Sequence, residues 1–495
     1  MNTVKTTLIL SLPVFVFGCG GGGESSSSPT KPSPPKYTVN FVAMENIRAN
    51  DVGNCAIYGQ DSDLEPSQYT VASAAKGKRM SLFIHAADGS VEKSFNEVED
   101  WSNGTFRFNQ SDVPNDGYIS LVVKDSFNEL VGYDVLTLEK ALIPSTFSVN
   151  SKSEDSLQSC IKANKSVSPS TYTGYIDDDG IAQDGLFAFY STTEEVTLNS
   201  SYAISFDSIP NKEVLAARIC HPEAKSCSPG EIVSYKLTST SNIGTASSRL
   251  TLTAVDNPSL PWVPNADATL TSAELSVYRP GTGALKWQDL SLSEQGAYSY
   301  VAELEAFYYL NVAGGHLGWD FSYATNPDNS ASSIDESMRL TDLEIPSPSG
   351  LASNLTGCST SDVGQCIQGY DTEAPSELDY QRTKLALTSG TSSIHQTIYA
   401  SSKKLQPLMR FENNIDDIWG GELKTVEVSL LASNNDREVK EAFVSGFFDA
   451  YSVTKGDYSG TPYTDSVAIV KTSLERENAE NALSYTEHMI FNYKQ

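Results

Sequence analysis

Short runs in which every second residue is apolar, broken at close intervals by Gly, Asn, Asp, Ser and Pro, recur through most of this chain. A period of two is the side-chain period of a strand, because successive Cβ atoms point to opposite faces. Met80-Ser81-Leu82-Phe83-Ile84, Thr105-Phe106-Arg107-Phe108, Leu250-Thr251-Leu252-Thr253 and Val426-Glu427-Val428-Ser429-Leu430 are examples, and each predicts a strand. Helical patterning is confined to Arg437 to Phe443 and Ser473 to Leu483, neither long enough to organise a domain. The expected fold class is therefore mainly β, built from β-sandwiches.

A weak internal repeat supports that expectation. In residues 80–123 and 273–312, Leu82 aligns with Leu275, Ile84 with Val277, Gly104 with Gly296, and Leu121 and Val123 with Leu310 and Val312. Length alone suggests several domains. Passages containing Pro and Ser divide the body into 37–145, 146–265, 266–345 and 376–495, with 346–375 as a linker pinned by its own cysteines. The stretch Gly104 to Phe108, then Val113-Pro114 and Gly117 to Leu121, resembles the second half of carboxypeptidase-regulatory-like and other Ig-like sandwiches. The resemblance implies several Ig-like or transthyretin-like β-sandwich domains in series after a disordered N-terminal tether, modules that act as stalks or interaction surfaces. It carries no functional residues.

The first eighteen residues join one early cation, Lys5, to the apolar run Leu8 to Phe17, the pattern of a secretory signal. A run of this length is too short to cross a bilayer core, which takes about twenty residues. Val16-Phe17-Gly18-Cys19 directly after it resembles the lipobox of bacterial lipoproteins. That resemblance implies cleavage before Cys19, a diacylglycerol with palmitate-type chains carried on its thiol, and, from Gly20, forwarding to the outer membrane, with the body at the cell surface or on the periplasmic face. Residues 20–36 are Gly-, Ser- and Pro-rich and suit a spacer between lipid and body.

Seven cysteines in an exported chain leave one unpaired, and lipidation of Cys19 removes the odd one. Of the connectivities open to the rest, Cys220–Cys227 and Cys358–Cys366 are favoured as local staples, leaving Cys55–Cys160. The competing reading is a zinc site, which lacks any CxxC pair here.

With 34 Lys and Arg against 62 Asp and Glu, the net charge is −28. Such a surface repels phosphate backbones, which excludes nucleic acid as a partner, and it repels anionic lipid headgroups as well. No GxSxG elbow, HExxH helix, P-loop or dinucleotide fingerprint occurs. The histidines His85, His221, His316, His395 and His488 are scattered; His395 beside Ser392 and Ser393 is the one triad candidate, set against a serine-rich strand edge.

Asp177-Asp178-Asp179-Gly180 with Asp184 clusters carboxylates around a glycine, which makes Asp177, Asp179 and Asp184 candidate calcium ligands. Tyr175 and Leu186 stand where an EF-hand needs acids, and the competing reading is an exposed acidic turn. Adjacent carboxylates do not face each other across a cleft as a glycosidase pair must.

Trp101 and Trp319, flanked by small polar residues, are candidate exposed platforms for a glycan. Trp287, Tyr298, Tyr300, Tyr308 and Tyr309 fit strand packing better. The expected role is non-enzymatic: a lipid-anchored structural, coat or adhesive protein that binds protein partners or itself. A glycan- or calcium-dependent binding lipoprotein is the alternative, and an enzyme with an unfamiliar site is a further one. Size and export pattern are also similar to the acidic lipoproteins of the membrane sheath of bacterial flagella.

Overall fold

The computed structural model describes residues 34–61, 68–76, 80–96, 104–127, 130–151, 160–162, 170–177, 185–191, 200–208, 210–221, 223, 227, 230–255, 260–279, 283–299, 301, 307–326, 334–335, 355–357, 365–368, 378–403, 405–411, 413–433, 436–449 and 467–494. It is mainly β, as the alternation predicts; Cys19 and residues 20–33 of the tether lie outside the described residues, and Lys36 already belongs to the first strand.

The first unit begins with β1 (Lys36–Arg48), followed by the hairpin β2 (Ile57–Asp61) and β3 (Gln68–Ala74), which pairs with the far half of β1. Then come β4 (Met80–His85), β5 (Val91–Phe95), β6 (Thr105–Asn109), β7 (Tyr118–Phe127), β8 (Leu130–Glu139) and β9 (Thr146–Asn150). One layer runs β5-β4-β7-β8; in the facing layer β1 lies between antiparallel β6 and parallel β9. Met80, Leu82 and Ile84 of β4 and Ile119, Leu121 and Val123 of β7 meet Tyr37, Val39, Phe41, Phe108 and Phe147 from the other layer. The apolar face of each strand thus closes a sandwich core.

The second unit comprises β10 (Ser170–Tyr175), β11 (Gly185–Tyr190), β12 (Ala203–Ser208), β13 (Glu213–Cys220), β14 (Ile232–Ser239) and β15 (Thr253–Ala254). Its layers are β10-β12 and β11-β13-β14-β15, with Leu250 bridging Ile176 in parallel. Phe187 and Phe189 point into its own core, whereas Ala188 and Tyr190 on the other face of β11 join the large core of the third unit.

Apart from the β2–β3 hairpin, the third unit repeats the strand order of the first: β16 (Leu260–Val263), β17 (Thr269–Arg279), β18 (Gly283–Asp289), β19 (Gly296–Tyr298), β20 (Phe307–His316), β21 (Trp319–Thr325) and β22 (Ile334–Asp335). One layer is β18-β17-β20-β21, and β16 lies between antiparallel β19 and parallel β22. The residues aligned by the internal repeat are equivalent in space. Leu82 pairs with Leu121 across β4 and β7, and Leu275 pairs with Leu310 across β17 and β20.

The fourth unit contains β23 (Leu355–Gly357), β24 (Gln365–Gln368), β25 (Tyr380–Ser389), β26 (Ser392–Ser401), β27 (Leu405–Pro407), β28 (Glu422–Ala432), α1 (Arg437–Val444), α2 (Ser473–Leu483) and β29 (His488–Lys494). β26-β25-β28-β29 form its main layer, and β24 pairs with β27. β23 and β24 fall inside 346–375, so part of the stretch expected to be a linker is strand; at three and four residues they are too short to show a period. Both expected helices form. Asp436 caps α1 by accepting from the backbone N–H groups of Glu438 and Val439. Thr472 and Glu475 form a reciprocal capping box at α2, at 2.8 Å and 3.2 Å.

The units are not simply strung in series. Their main layers join edge to edge in one twelve-stranded sheet, β18-β17-β20-β21-β29-β28-β25-β26-β8-β7-β4-β5. The third and fourth units meet at antiparallel β21–β29, and the fourth and first at parallel β26–β8, where Ser392 to Tyr399 pair with Val131 to Leu138. Strands drawn from 37–145, 266–345 and 376–495 are therefore hydrogen-bonded neighbours. Both faces of the fourth unit's layer are covered. Leu385, Leu387, Val426 and Val428 face the large core, while Tyr380, Tyr399, Leu431 and Ile490 face Val439 and Phe443 of α1.

At the fourth-to-first joint the β4–β5 turn meets the segment after β27. Gly89 has φ +84°, its carbonyl accepts from Arg410 N at 2.9 Å, and a Cβ there would lie 2.7 Å from the Leu408 carbonyl oxygen. Only glycine meets both conditions. Gly89→Ala is expected to destabilise by about 2 kcal/mol, through strain and the lost close approach. Hydrogen exchange should then accelerate first in residues 405–411; uniform protection would disprove a role for this contact in the joint.

Candidate functional site

The most concentrated polar chemistry in the described residues lies inside that joint. On the covered face of β4, β7, β8 and β26, Gln396 Nε2 donates to Thr137 Oγ1 at 3.0 Å. Thr137 Oγ1 lies 2.9 Å from Ser120 Oγ, which lies 2.9 Å from His85 Nε2. Either hydroxyl can donate in the Thr137–Ser120 contact, and the His85 tautomer sets the direction of the contact with Ser120. Burial drives the His85 pKa down to about 3, with the Gly89 backbone pulling the other way.

A histidine on a serine hydroxyl is the beginning of a nucleophile, but Ser120 is fully buried, and the His85 ring packs edge-on against Phe411. The chain of hydroxyls stitches three strands of the first unit to β26 of the fourth. Among the described residues, Ser120 has no exposed surface.

A second cluster closes the end of the same joint. Lys403 Nζ donates to Glu139 Oε1 at 3.2 Å and to Tyr118 OH at 2.5 Å, and Ser401 N donates to Glu139 Oε2. Glu139 is only 4 % exposed. Burial alone would lower the Lys403 pKa, but Tyr118 and Glu139 outweigh it and the value is raised. Tyr118 is raised by its own burial, opposed by the Lys403 ammonium.

The residues singled out in the sequence fall elsewhere. Cys55–Cys160 and Cys220–Cys227 are disulfides, with Cα atoms 5.5 Å and 6.0 Å apart. Cys366 is disulfide-bonded and buried, while Cys358 lies outside the described residues. Asp177 is half-buried and its N–H donates to Leu250 O at 2.9 Å; Asp179 and Asp184 are outside the described residues. Among the described residues, no group of three or more His, Cys, Asp or Glu is placed to hold a metal ion.

Trp101 is outside the described residues, and Trp319 requires a correction: it is 1 % exposed, packed on Phe491 and Tyr493. Its small neighbours mark the β20–β21 turn, but its ring belongs to the strand that β29 covers. Trp287, Tyr298 and Tyr308 are core, as strand packing predicts. His395 is exposed on β26, which is flanked by β25 and β8 and is not an edge. The polar chain through His85, Ser120, Thr137 and Gln396 has no sequence signature, because its members are brought together across 259 positions between Thr137 and Gln396.

No family model matches the chain, and no match is found among curated proteins.

Replacing Lys403 by Met leaves Glu139 as a buried carboxylate without its cation and is expected to cost about 2–3 kcal/mol. Adding Glu139→Gln should restore most of this in urea melts, since the amide oxygen still accepts from Ser401; additive losses would contradict the pairing. A pH effect follows from His85 and from His488, whose pKa burial lowers to about 4. Unfolded, both titrate near 6.5, so the unfolded chain binds more protons below that pH and stability falls as pH drops toward about 4. The slope approaches about 1.4 kcal/mol per pH unit for each histidine. His85→Asn and His488→Gln should each flatten the decline between pH 6.5 and 5, and an unchanged slope in both would refute the assignment.

Proposed function

We propose that this chain is a lipid-anchored protein of the bacterial outer membrane with a structural or protein-interaction role, as a surface coat or adhesive component, and that it is not an enzyme. The observation that carries the structural role is the joining of the main layers of three units in one twelve-stranded sheet. Serial sandwiches on flexible linkers would reorient freely, whereas shared backbone hydrogen bonds fix these units as one rigid body. The sealed Ser120–His85 pair supports the absence of catalysis, since a nucleophile must meet its substrate.

The anchor rests on Cys19 behind Leu8 to Phe17 and ahead of a Gly-, Ser- and Pro-rich spacer. An acidic surface of net charge −28 keeps such a body dispersed and away from anionic headgroups, so lipid on the thiol supplies the attachment that electrostatics does not. Self-association or a protein partner then completes a coat.

Metabolic labelling with palmitate in a bacterial host should tag the chain, and Cys19→Ser should abolish the label. Mass spectrometry of the N-terminal peptide should find the cysteine acylated. A bare thiol there would end the envelope reading. Protease shaving of intact cells should release the body if it forms a surface coat, and full protection would rule the coat out.

A further inference from the structure

Thr137 and Gln396 are a buried hydroxyl and a buried carboxamide in direct contact across the joint of the first and fourth units. In the parallel pairing of β8 with β26, Gln396 stands opposite Val135, and Ile398 stands opposite Thr137. Side chains two residues apart share a face, so Gln396 reaches diagonally to Thr137, and its Nε2 lies 3.0 Å from Oγ1. The carboxamide carbon is one bond further. Gln396 Oε1 is buried and has no hydrogen-bond partner among the described residues. With its oxygen unheld, the carboxamide can turn about its soft terminal torsion and present its carbon to Oγ1.

Thr137 Oγ1 also begins a row that ends on a base. Ser120 Oγ is 2.9 Å from it, and His85 Nε2 is 2.9 Å from the serine. All four side chains are at most 1 % exposed, on the face that Phe83, Val122, Val135 and Ile398 turn to the large core. Such a row is closed to a foreign substrate. Gln396 is a substrate that the fold itself delivers, already in place beside the hydroxyl. The same burial keeps out water that would compete with Thr137 or cleave the product.

A second buried pair shows what an ordinary contact of this kind lacks. On β25, Gln381 Nε2 donates to Thr383 Oγ1 at 3.1 Å, but Gln381 Oε1 accepts from Lys403 N at 3.4 Å. Among the described residues, no histidine relay reaches Thr383.

We propose that Thr137 and Gln396 join in an ester, with loss of ammonia, that links the first and fourth units covalently. Thr137 Oγ1 bonds to the carboxamide carbon. Its proton passes to Ser120 as the serine proton passes to His85 Nε2, one of the directions these contacts allow. The C–N bond then breaks, the row returns the proton to the departing nitrogen, and ammonia leaves with the electron pair of that bond. Ser120 and His85 end as they began, and no oxidant, reductant or water is consumed. Burial holds the His85 pKa low, so the ring is neutral before the step and gives the proton back readily. No donor among the described residues faces Gln396 Oε1, which slows the step by about 10²–10³. A bond made once in the life of the molecule tolerates this. The reaction is independent of the lipid on Cys19.

The test is a tryptic digest of the full-length chain. Cleavage after Lys124, Lys140, Lys384 and Lys403 gives 125–140 with Thr137 and 385–403 with Gln396. Mass spectrometry should find these two peptides joined, about 17 Da below their sum, and hydroxylamine should part them as it parts an ester. Gln381 and Thr383 should keep free side chains. Thr137→Val should leave the peptides separate, and His85→Asn and Ser120→Ala should each lower the joined fraction at least about tenfold. Hydrogen exchange in β8 and β26, unchanged in a folded variant, separates lost chemistry from lost structure. Separate peptides at full mass in the parent would overturn the proposal, whether or not any variant folds. So would a link that resists hydroxylamine or that persists in Thr137→Val. An undiminished link in both folded His85→Asn and folded Ser120→Ala would overturn the relay.

Discussion

An open sheet edge presents a row of unpaired N–H and C=O groups, and every repeated sandwich has two such edges on its main layer. This molecule resolves most of them against one another. The third and fourth units meet through equivalent strands, β21 and β29, running antiparallel; the fourth and first meet through non-equivalent strands, β26 and β8, running parallel. The second joint is reinforced where backbone pairing alone would be weakest. The hydroxyl chain from His85 to Gln396 crosses it, and the Lys403, Glu139 and Tyr118 cluster closes its end.

Those polar groups share one physical logic. Each is buried, and each is tolerated because its partner is held on a neighbouring strand of the same sheet. A hydrogen-bonded hydroxyl row is directional, so it favours the native strand register over slipped alternatives that would bury the same groups unpaired. The resemblance of Ser120 and His85 to a catalytic pair is therefore an outcome of joint construction. No short sequence motif marks it, since the two residues lie on adjacent strands 35 positions apart.

Much of the local structure was legible beforehand. Alternation located β4, β6 and β28, and capping residues at Asp436 and Thr472 explain why the two short helical patterns hold as helices. The aligned pairs Leu82 with Leu121 and Leu275 with Leu310 were visible as a repeat because the same cross-strand contact is made twice. Trp319 was misjudged because flanking Gly and Asp report the turn beside it and say nothing of β29, which arrives from 169 positions later at His488 to cover the ring.

The sequence by itself determined strands, turns and helix starts, which follow from side-chain period and backbone preference, and favoured the cysteine pairs Cys55–Cys160 and Cys220–Cys227 that the structure contains. Only the tertiary structure decided that three units share a sheet and that His85 is neutral and buried. The reason is that edge pairing uses backbone groups, which are the same at every residue and leave no mark in the order of side chains.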